Sequence, residues 1–296
     1  MEETKRMKKT KLLALLLAAL FCLGLLSACG GGSSASPASG TAGGSAADSD
    51  YAYVMGKGSM DIGYTLFKPM NYTDADGNFT GFDTELAQAV CAKLGITPNF
   101  VKINWDTKEI ELAAKSIDCI WNGLTITEDR QAQMSFSLPY IQNAQVLVVR
   151  ADSGITSTAD LIGKTVVAEV GSIGEAAILG TNGITPDPNI AQCNYVGVAK
   201  QTDCLLEVKA GTAAAASLDL TLAKTMVGPG TDFSDLKIVD NVVLETDECG
   251  VAFRLGSDLT AKVNDILKEL AADGTISGLC DKYGTTLAPE LAQYAK

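Results

Sequence analysis

Trp121-Asn-Gly-Leu-Thr-Ile-Thr-Glu-Asp-Arg130 is the stretch from which the fold can be read. Asp118 to Trp121 reads as a short strand, backbone groups are freed at Asn122-Gly123, and an arginine follows on the next element. In open α/β sheets ligands sit outside the carboxyl ends of strands, where such groups converge. Arg130 carries the rigid fork that grips a carboxylate through two parallel hydrogen bonds. Taken alone, an arginine in this position is more often a solvated surface charge.

Working outward, the spacing predicts strands at Ser59–Tyr64 and Ile96–Ile103, with a helix at Thr84–Leu94 that stops at Gly95. Asp74-Ala-Asp-Gly-Asn78 reads as a hairpin turn. It is not a calcium loop, because Phe79 stands where the sharp-turn glycine is required. Downstream, Glu109–Lys115 reads as helix and Val146–Val149 as a buried strand, followed by strands at Thr165–Val170 and Ala213–Leu218 and a helix at Cys204–Ala210. Strands at Leu236–Val239 and Gly250–Phe253 and an amphipathic helix at Leu259–Ala272 complete the series. Strands alternate with helices throughout, the pattern of an α/β fold with helices on both sheet faces. Gly171-Ser-Ile-Gly174 opens a helix after a strand but lacks dinucleotide-loop spacing. It reads equally as an anion-friendly helix start or a plain N-cap.

Composition excludes whole classes of chemistry. Among 296 residues there is no histidine, so catalytic triads built on imidazole and HExxH zinc sites are absent. A net charge of −12 argues against sequence-independent nucleic-acid binding. No P-loop motif occurs, and no metal-ligand spacing or cofactor motif is read. Lys8, Lys9 and Lys11 precede an apolar run from Leu12 to Leu26, too short to span a bilayer, in the order of a secretory signal. Leu26-Ser-Ala-Cys29-Gly resembles the bacterial lipobox, which predicts a signal peptide over residues 1–28 and a lipid on Cys29. Residues 29–50, rich in Gly, Ala and Ser, read as a flexible tether. The six remaining cysteines permit buried thiols or disulfides, and their pairing stays open.

Five words, one of them containing the opening stretch, stand in order: Gly81-Phe-Asp-Thr-Glu-Leu-Ala, Asp118-Cys-Ile-Trp-Asn-Gly-Leu-Thr-Ile-Thr-Glu-Asp-Arg130, Phe136-Ser-Leu-Pro-Tyr140, Asp160-Leu-Ile-Gly-Lys164 and Cys249-Gly-Val-Ala. Together, over about residues 55–290, they resemble the extracellular solute-binding proteins of family 3, the substrate-binding components of polar amino acid ABC importers. The resemblance implies a two-lobed type II periplasmic-binding-protein fold with two hinge crossovers. Lobe 1 would comprise residues 51–140 and 250–296, lobe 2 residues 145–244, with hinges near Tyr140–Ala144 and Glu245–Cys249. It implies a monomer held to the membrane by its lipid, facing outward, that hands an L-amino acid, a small-molecule ligand, to an ABC permease and performs no catalysis.

By motif, Arg130 would hold the ligand α-carboxylate, Gly123 and Thr125 would surround the same head group, and Asp219 would pair with the α-ammonium. Phe67 and Trp105 would flank the side chain, and Ser172 would complete the carboxylate nest. Three of these have a plainer alternative: Asp219 as a helix cap, Phe67 and Trp105 as core. Tyr64 stands where several relatives place an acidic residue. Glu169 reads either as a strand-end carboxylate in water or as the group that selects a basic ligand. Two other classes remain in view: a cyclohexadienyl-dehydratase-like enzyme on the same scaffold, and a sensor or adhesin.

Overall fold

A computed structural model describes residues 49–295. The signal peptide, Cys29 and the tether up to residue 48 lie outside the described residues. The last two residues assigned to the tether are structured. Ser49 caps a helix over Asp50–Lys57 (α1), accepting from the Ala52 N–H at 2.9 Å. Buried Asp50 receives the Arg254 Nε at 3.0 and 3.1 Å, which ties the start of the described chain to a strand near its end. That helix is absent from the sequence reading because its start carries no apolar period.

Two sheets organise the chain. In the first, β1 (Ser59–Tyr64) is paired in parallel with β4 (Thr97–Lys102) and with β5 (Cys119–Ile120). The returning strand β12 (Ala252–Arg254) runs antiparallel between β5 and β6 (Met134–Phe136). The hairpin predicted at Asp74–Asn78 is present, joining β2 (Tyr72–Thr73) to β3 (Phe79–Thr80). Helix α2 (Phe82–Leu94) buries Phe82, Leu86, Val90 and Cys91 on one face and ends at Gly95 with φ 72°, a left-handed value that favours glycine.

The second sheet has the order Leu236–Cys249 (β11), Ile141–Arg150 (β7), Ala215–Asp219 (β10), Thr165–Glu169 (β8), Asn194–Val198 (β9), and a short strand at Thr286–Leu287 pairs antiparallel with Ile141 and Gln142 of β7. Strands β8 (Thr165–Glu169), β9 (Asn194–Val198) and β10 (Ala215–Asp219) run parallel to one another where they pair. β10 is buried along its length, and Ala215 and Ala216 let helices pack close on it. Gly174, on the helix Ile173–Leu179, shows how close: a Cβ there would lie 2.8 Å from the Ser217 carbonyl oxygen.

Two long strands connect the sheets. β7 (Ile141–Arg150) and β11 (Leu236–Cys249) are longer than the apolar cores that announced them, because their inner halves carry polar residues. Ile141–Gln145 pairs antiparallel with Glu245–Cys249, and the backbone N–H of Ile126 reaches the Glu248 carbonyl at 2.9 Å. The polar ends of β7 and β11 therefore form the crossing between sheets, and their apolar halves enter the second sheet. The six cysteines of this body are free thiols, five of them buried, which answers the question of pairing. Among the described residues no helix is long and apolar enough to cross a membrane.

Candidate functional site

A cavity of about 460 Å³ lies between the two sheets at the carboxyl ends of their strands. Its lining includes Phe67, Trp105, Gly123, Thr125, Arg130, Glu169, Ser172 and Asp219. The eight residues singled out from the sequence are thus brought to one place. Phe67 follows β1, Gly123 and Thr125 follow β5, Glu169 and Ser172 flank the end of β8, and Asp219 ends β10. Tyr64 does not line the cavity. Its ring packs on Phe79 at 4.8 Å and Phe100 at 6.1 Å instead.

Arg130 is buried in the short helix Glu128–Gln131, whose Thr127 cap accepts from the Arg130 N–H at 3.2 Å. Its guanidinium donates to the Thr125 carbonyl at 2.8 Å and, across the cleft, to the Gly171 carbonyl at 3.0 Å. It forms no ion pair with any described carboxylate. A buried cation held only by carbonyls keeps most of its charge available to an anion.

Opposite stands Asp219, also buried. Its backbone precedes the helix Leu220–Met226, yet its side chain makes no capping bond. The carboxylate instead accepts from the side-chain amides of Gln145 (2.7 Å), Asn143 and Gln201, and Gln201 Oε1 accepts from the Asp219 N–H at 3.0 Å. Burial pushes Asp219 up from its ordinary value, and these amide donors and the Arg130 charge oppose the shift. The same two amides reach Asp247 on β11, Gln145 at 3.0 Å and Asn143 at 3.3 Å, while Thr125 donates to it at 2.9 Å. Burial and then the Asp219 charge lift Asp247 to about 6.

Glu169 is lifted to about 8, first by burial and then by the Asp219 charge, with Lys108 and Gln201 pulling the other way. It makes no ion pair among the described residues, and it does not point to bulk water, being 7% exposed. Ser172 serves as an N-cap for Ile173–Leu179, accepting from the Glu175 N–H at 3.1 Å, so its hydroxyl is already engaged at the cavity wall. Asp83 approaches from behind. Wholly buried at the start of α2, it accepts from the Gly123 N–H at 2.6 Å and fixes the loop that follows β5. Burial raises Asp83 to about 7 against the Tyr140 hydroxyl and the Gly123 N–H.

Pattern reading missed Asn143, Gln145, Gln201, Asp247 and Asp83 as members of this network. Asn143 and Gln145 did leave a trace: polar side chains inside an otherwise apolar strand, both buried.

The bacterial extracellular solute-binding protein family 3 model matches residues 61–286. The chain belongs to that family. Among its relatives, the arginine-binding extracellular protein of Bacillus subtilis is 30% identical over 233 residues, covering 78% of this chain and 88% of that protein. The L-cystine-binding protein of Escherichia coli is 30% identical over 238 residues, covering 78% and 84%. A histidine-bound ABC uptake transporter substrate-binding protein from Streptococcus pneumoniae superposes with a TM-score of 0.72 at 31% identity, covering 82% of this chain and 99% of that one. This family-3 chain therefore has the two-lobed α/β architecture of periplasmic amino-acid-binding proteins, and the cavity lies where its two sheets face each other.

Proposed function

We propose that this protein captures an L-amino acid, with a basic side chain preferred, and delivers it to an ABC importer. The observation that carries the reading is one cavity with a buried, unpaired guanidinium on one wall and a buried carboxylate on the other. A zwitterion satisfies both at once: its carboxylate meets the remaining Arg130 donors and its ammonium meets Asp219. Gly123 and Thr125 add groups around that head, Ser172 borders the carboxylate, and Phe67 and Trp105 wall the side chain. Because the charges sit on different lobes, the ligand bridges them and favours closure. Glu169, with no cation paired to it, is the acceptor for a basic side chain. Relatives named for arginine and histidine support that preference, while the one named for cystine is the competing case.

We place residues 51–140 and 250–296 in lobe 1, 145–244 in lobe 2, and a lipid on Cys29 that holds the monomer at the outer face of the membrane. Replacing Cys29 by alanine is expected to move the protein from the membrane fraction to the soluble extracytoplasmic fraction.

The deciding experiment is a thermal-shift and calorimetric screen of residues 49–296 against the twenty amino acids, ornithine and cystine, run after unfolding and refolding to strip bound ligand. A bound ligand raises the melting point as RT ln(1 + [L]/Kd). A shift with arginine, lysine, ornithine or histidine, lost in Arg130→Ala and Asp219→Asn, is the expected result. A shift with cystine alone removes the basic preference, and no shift with any of them overturns the reading. Conversion of the bound molecule, followed by mass spectrometry, would replace it with an enzyme.

A further inference from the structure

Apart from the paired strands β7 and β11 and their neighbours, two hydrogen bonds cross the cleft among the described residues, and both end on the carbonyl oxygen of Gly171. One comes from Arg130 at 3.0 Å. The other comes from Lys108 Nζ at 3.3 Å.

Lys108 opens the helix Lys108–Ala113 next to the Trp105 turn, yet it is only 2% exposed. Its ammonium lies 4.7 Å from the centroid of the Trp105 ring, donates to the Trp105 carbonyl at 3.1 Å and pairs with Glu109 at 3.1 Å. It does not line the cavity. A lysine among apolar neighbours normally snorkels to water. This one runs beneath the tryptophan and completes its hydrogen bonding on the opposite lobe.

The acceptor lies in a left-handed turn close to the Trp105 segment. Gly171 has φ +73°, and a Cβ there would lie 3.5 Å from Lys108 Nζ and 3.8 Å from the Trp105 carbonyl oxygen. The backbone turn that follows β8 therefore lies beside the Trp105 turn, at a distance where an added Cβ would make ordinary van der Waals contacts.

We infer that Lys108 is a closure latch: a positioning residue that fastens the Trp105 wall of one lobe to the Gly171 carbonyl of the other, whatever ligand side chain is present. Opening the cleft removes that acceptor and returns the ammonium to water, while closing restores a charge-assisted bond in a dry setting. Arg130 shares the same acceptor but is also called on by the ligand carboxylate in the proposed function, on which the ligand-binding part of this inference rests. Lys108 has no such second demand. Its burial and the adjacent Arg130 charge lower its pKa, the ordinary consequence of two cations meeting at one oxygen, with Glu109 and Glu169 opposing them.

The test compares wild type with Lys108→Met, which keeps the stem beneath Trp105, and Lys108→Arg, which keeps charge and donors. Small-angle scattering without added ligand is expected to give a larger radius of gyration for Lys108→Met than for wild type, with Lys108→Arg near wild type. Stopped-flow tryptophan fluorescence is expected to show ligand dissociation faster by roughly tenfold for every amino acid bound, with association unchanged. Unchanged scattering together with unchanged dissociation overturns the latch. So does a loss confined to one class of ligand side chain, which would make Lys108 a specificity group. If Lys108→Met fails to fold, Lys108→Gln takes the same measurements. If wild type binds no amino acid, the proposed function falls and the scattering comparison still decides the latch.

Discussion

A buried carboxylate with no ion-pair partner is costly as an anion, and Glu169 relieves that cost by holding its proton up to about pH 8. A cationic ligand side chain can pair with it only after the proton leaves. The sign follows: below about pH 8, each unit of rising pH removes up to about tenfold of penalty, so arginine binds more tightly as pH rises toward 8. Neutral amino acids gain nothing from this group. Titration calorimetry between pH 6 and 8.5 is expected to show the steeper slope for arginine in wild type and its loss in Glu169→Gln. An equal slope in the two proteins would assign the effect to Asp247 or Asp83. Asp83 acts through the Gly123 peptide, so Asp83→Ala is expected to weaken every ligand similarly, by roughly tenfold, in the same experiment.

At the scale of elements, the ligand loop depends on how tightly the β2–β3 hairpin and α2 are joined. Gly81 stands at that junction with φ +128°, and a Cβ there would lie 2.1 Å from the Met70 carbonyl oxygen and 2.8 Å from the Pro69 carbonyl oxygen. Backbone cannot yield as a side-chain tip can, so Gly81→Ala is expected to cost about 3 kcal/mol or more in chemical denaturation. The N-terminal helix belongs to the same account. Removing residues up to 57 deletes α1 and leaves Arg254 without the buried Asp50 carboxylate, so the midpoint of urea unfolding should fall relative to a chain starting at residue 49. That helix escaped pattern reading because Val54 is the one apolar residue it fully buries among its eight, which leaves no repeat to read. Leu259–Ala272 was legible because Leu259, Val263, Leu267 and Leu270 repeat on one face without help.

Over the whole molecule, Asp83, Asp247 and Glu169 all carry pKa values raised by burial, to about 7, 6 and 8. In the unfolded chain they titrate near 4, so between about pH 4 and 8 the folded protein binds more protons than the unfolded one. Stability from these groups therefore falls as pH rises through that window. Carboxylates held below their ordinary value, such as Asp61 and Glu85, act oppositely and withdraw stability only in more acid solution. Melting temperatures of the unliganded protein are expected to peak near pH 5 and decline toward pH 8. A basic ligand, by pairing with Glu169, should flatten the upper part of that decline.

The α/β class and most of the strands and helices were legible in the chain, because local periodicity and turn chemistry are properties of neighbouring residues, whereas the charged and aromatic residues of the cavity were pointed to by the family resemblance alone. What the sequence could not carry is adjacency. Glu169 and Asp219 share a wall because β8 and β10 pair in parallel, Ala215 beside Val166, which brings two distant strand ends together. Gln201 reaches Asp219 because its helix docks on that sheet, and Lys108 meets Gly171, 63 residues away in the chain, across the cleft. Burial then changes what these groups are: the same glutamate that would be an ordinary anion on a strand end holds a proton at neutral pH once water is excluded. Which side chains lose their water, and beside whom, is decided by contacts between residues far apart in the chain, and so by the tertiary structure alone.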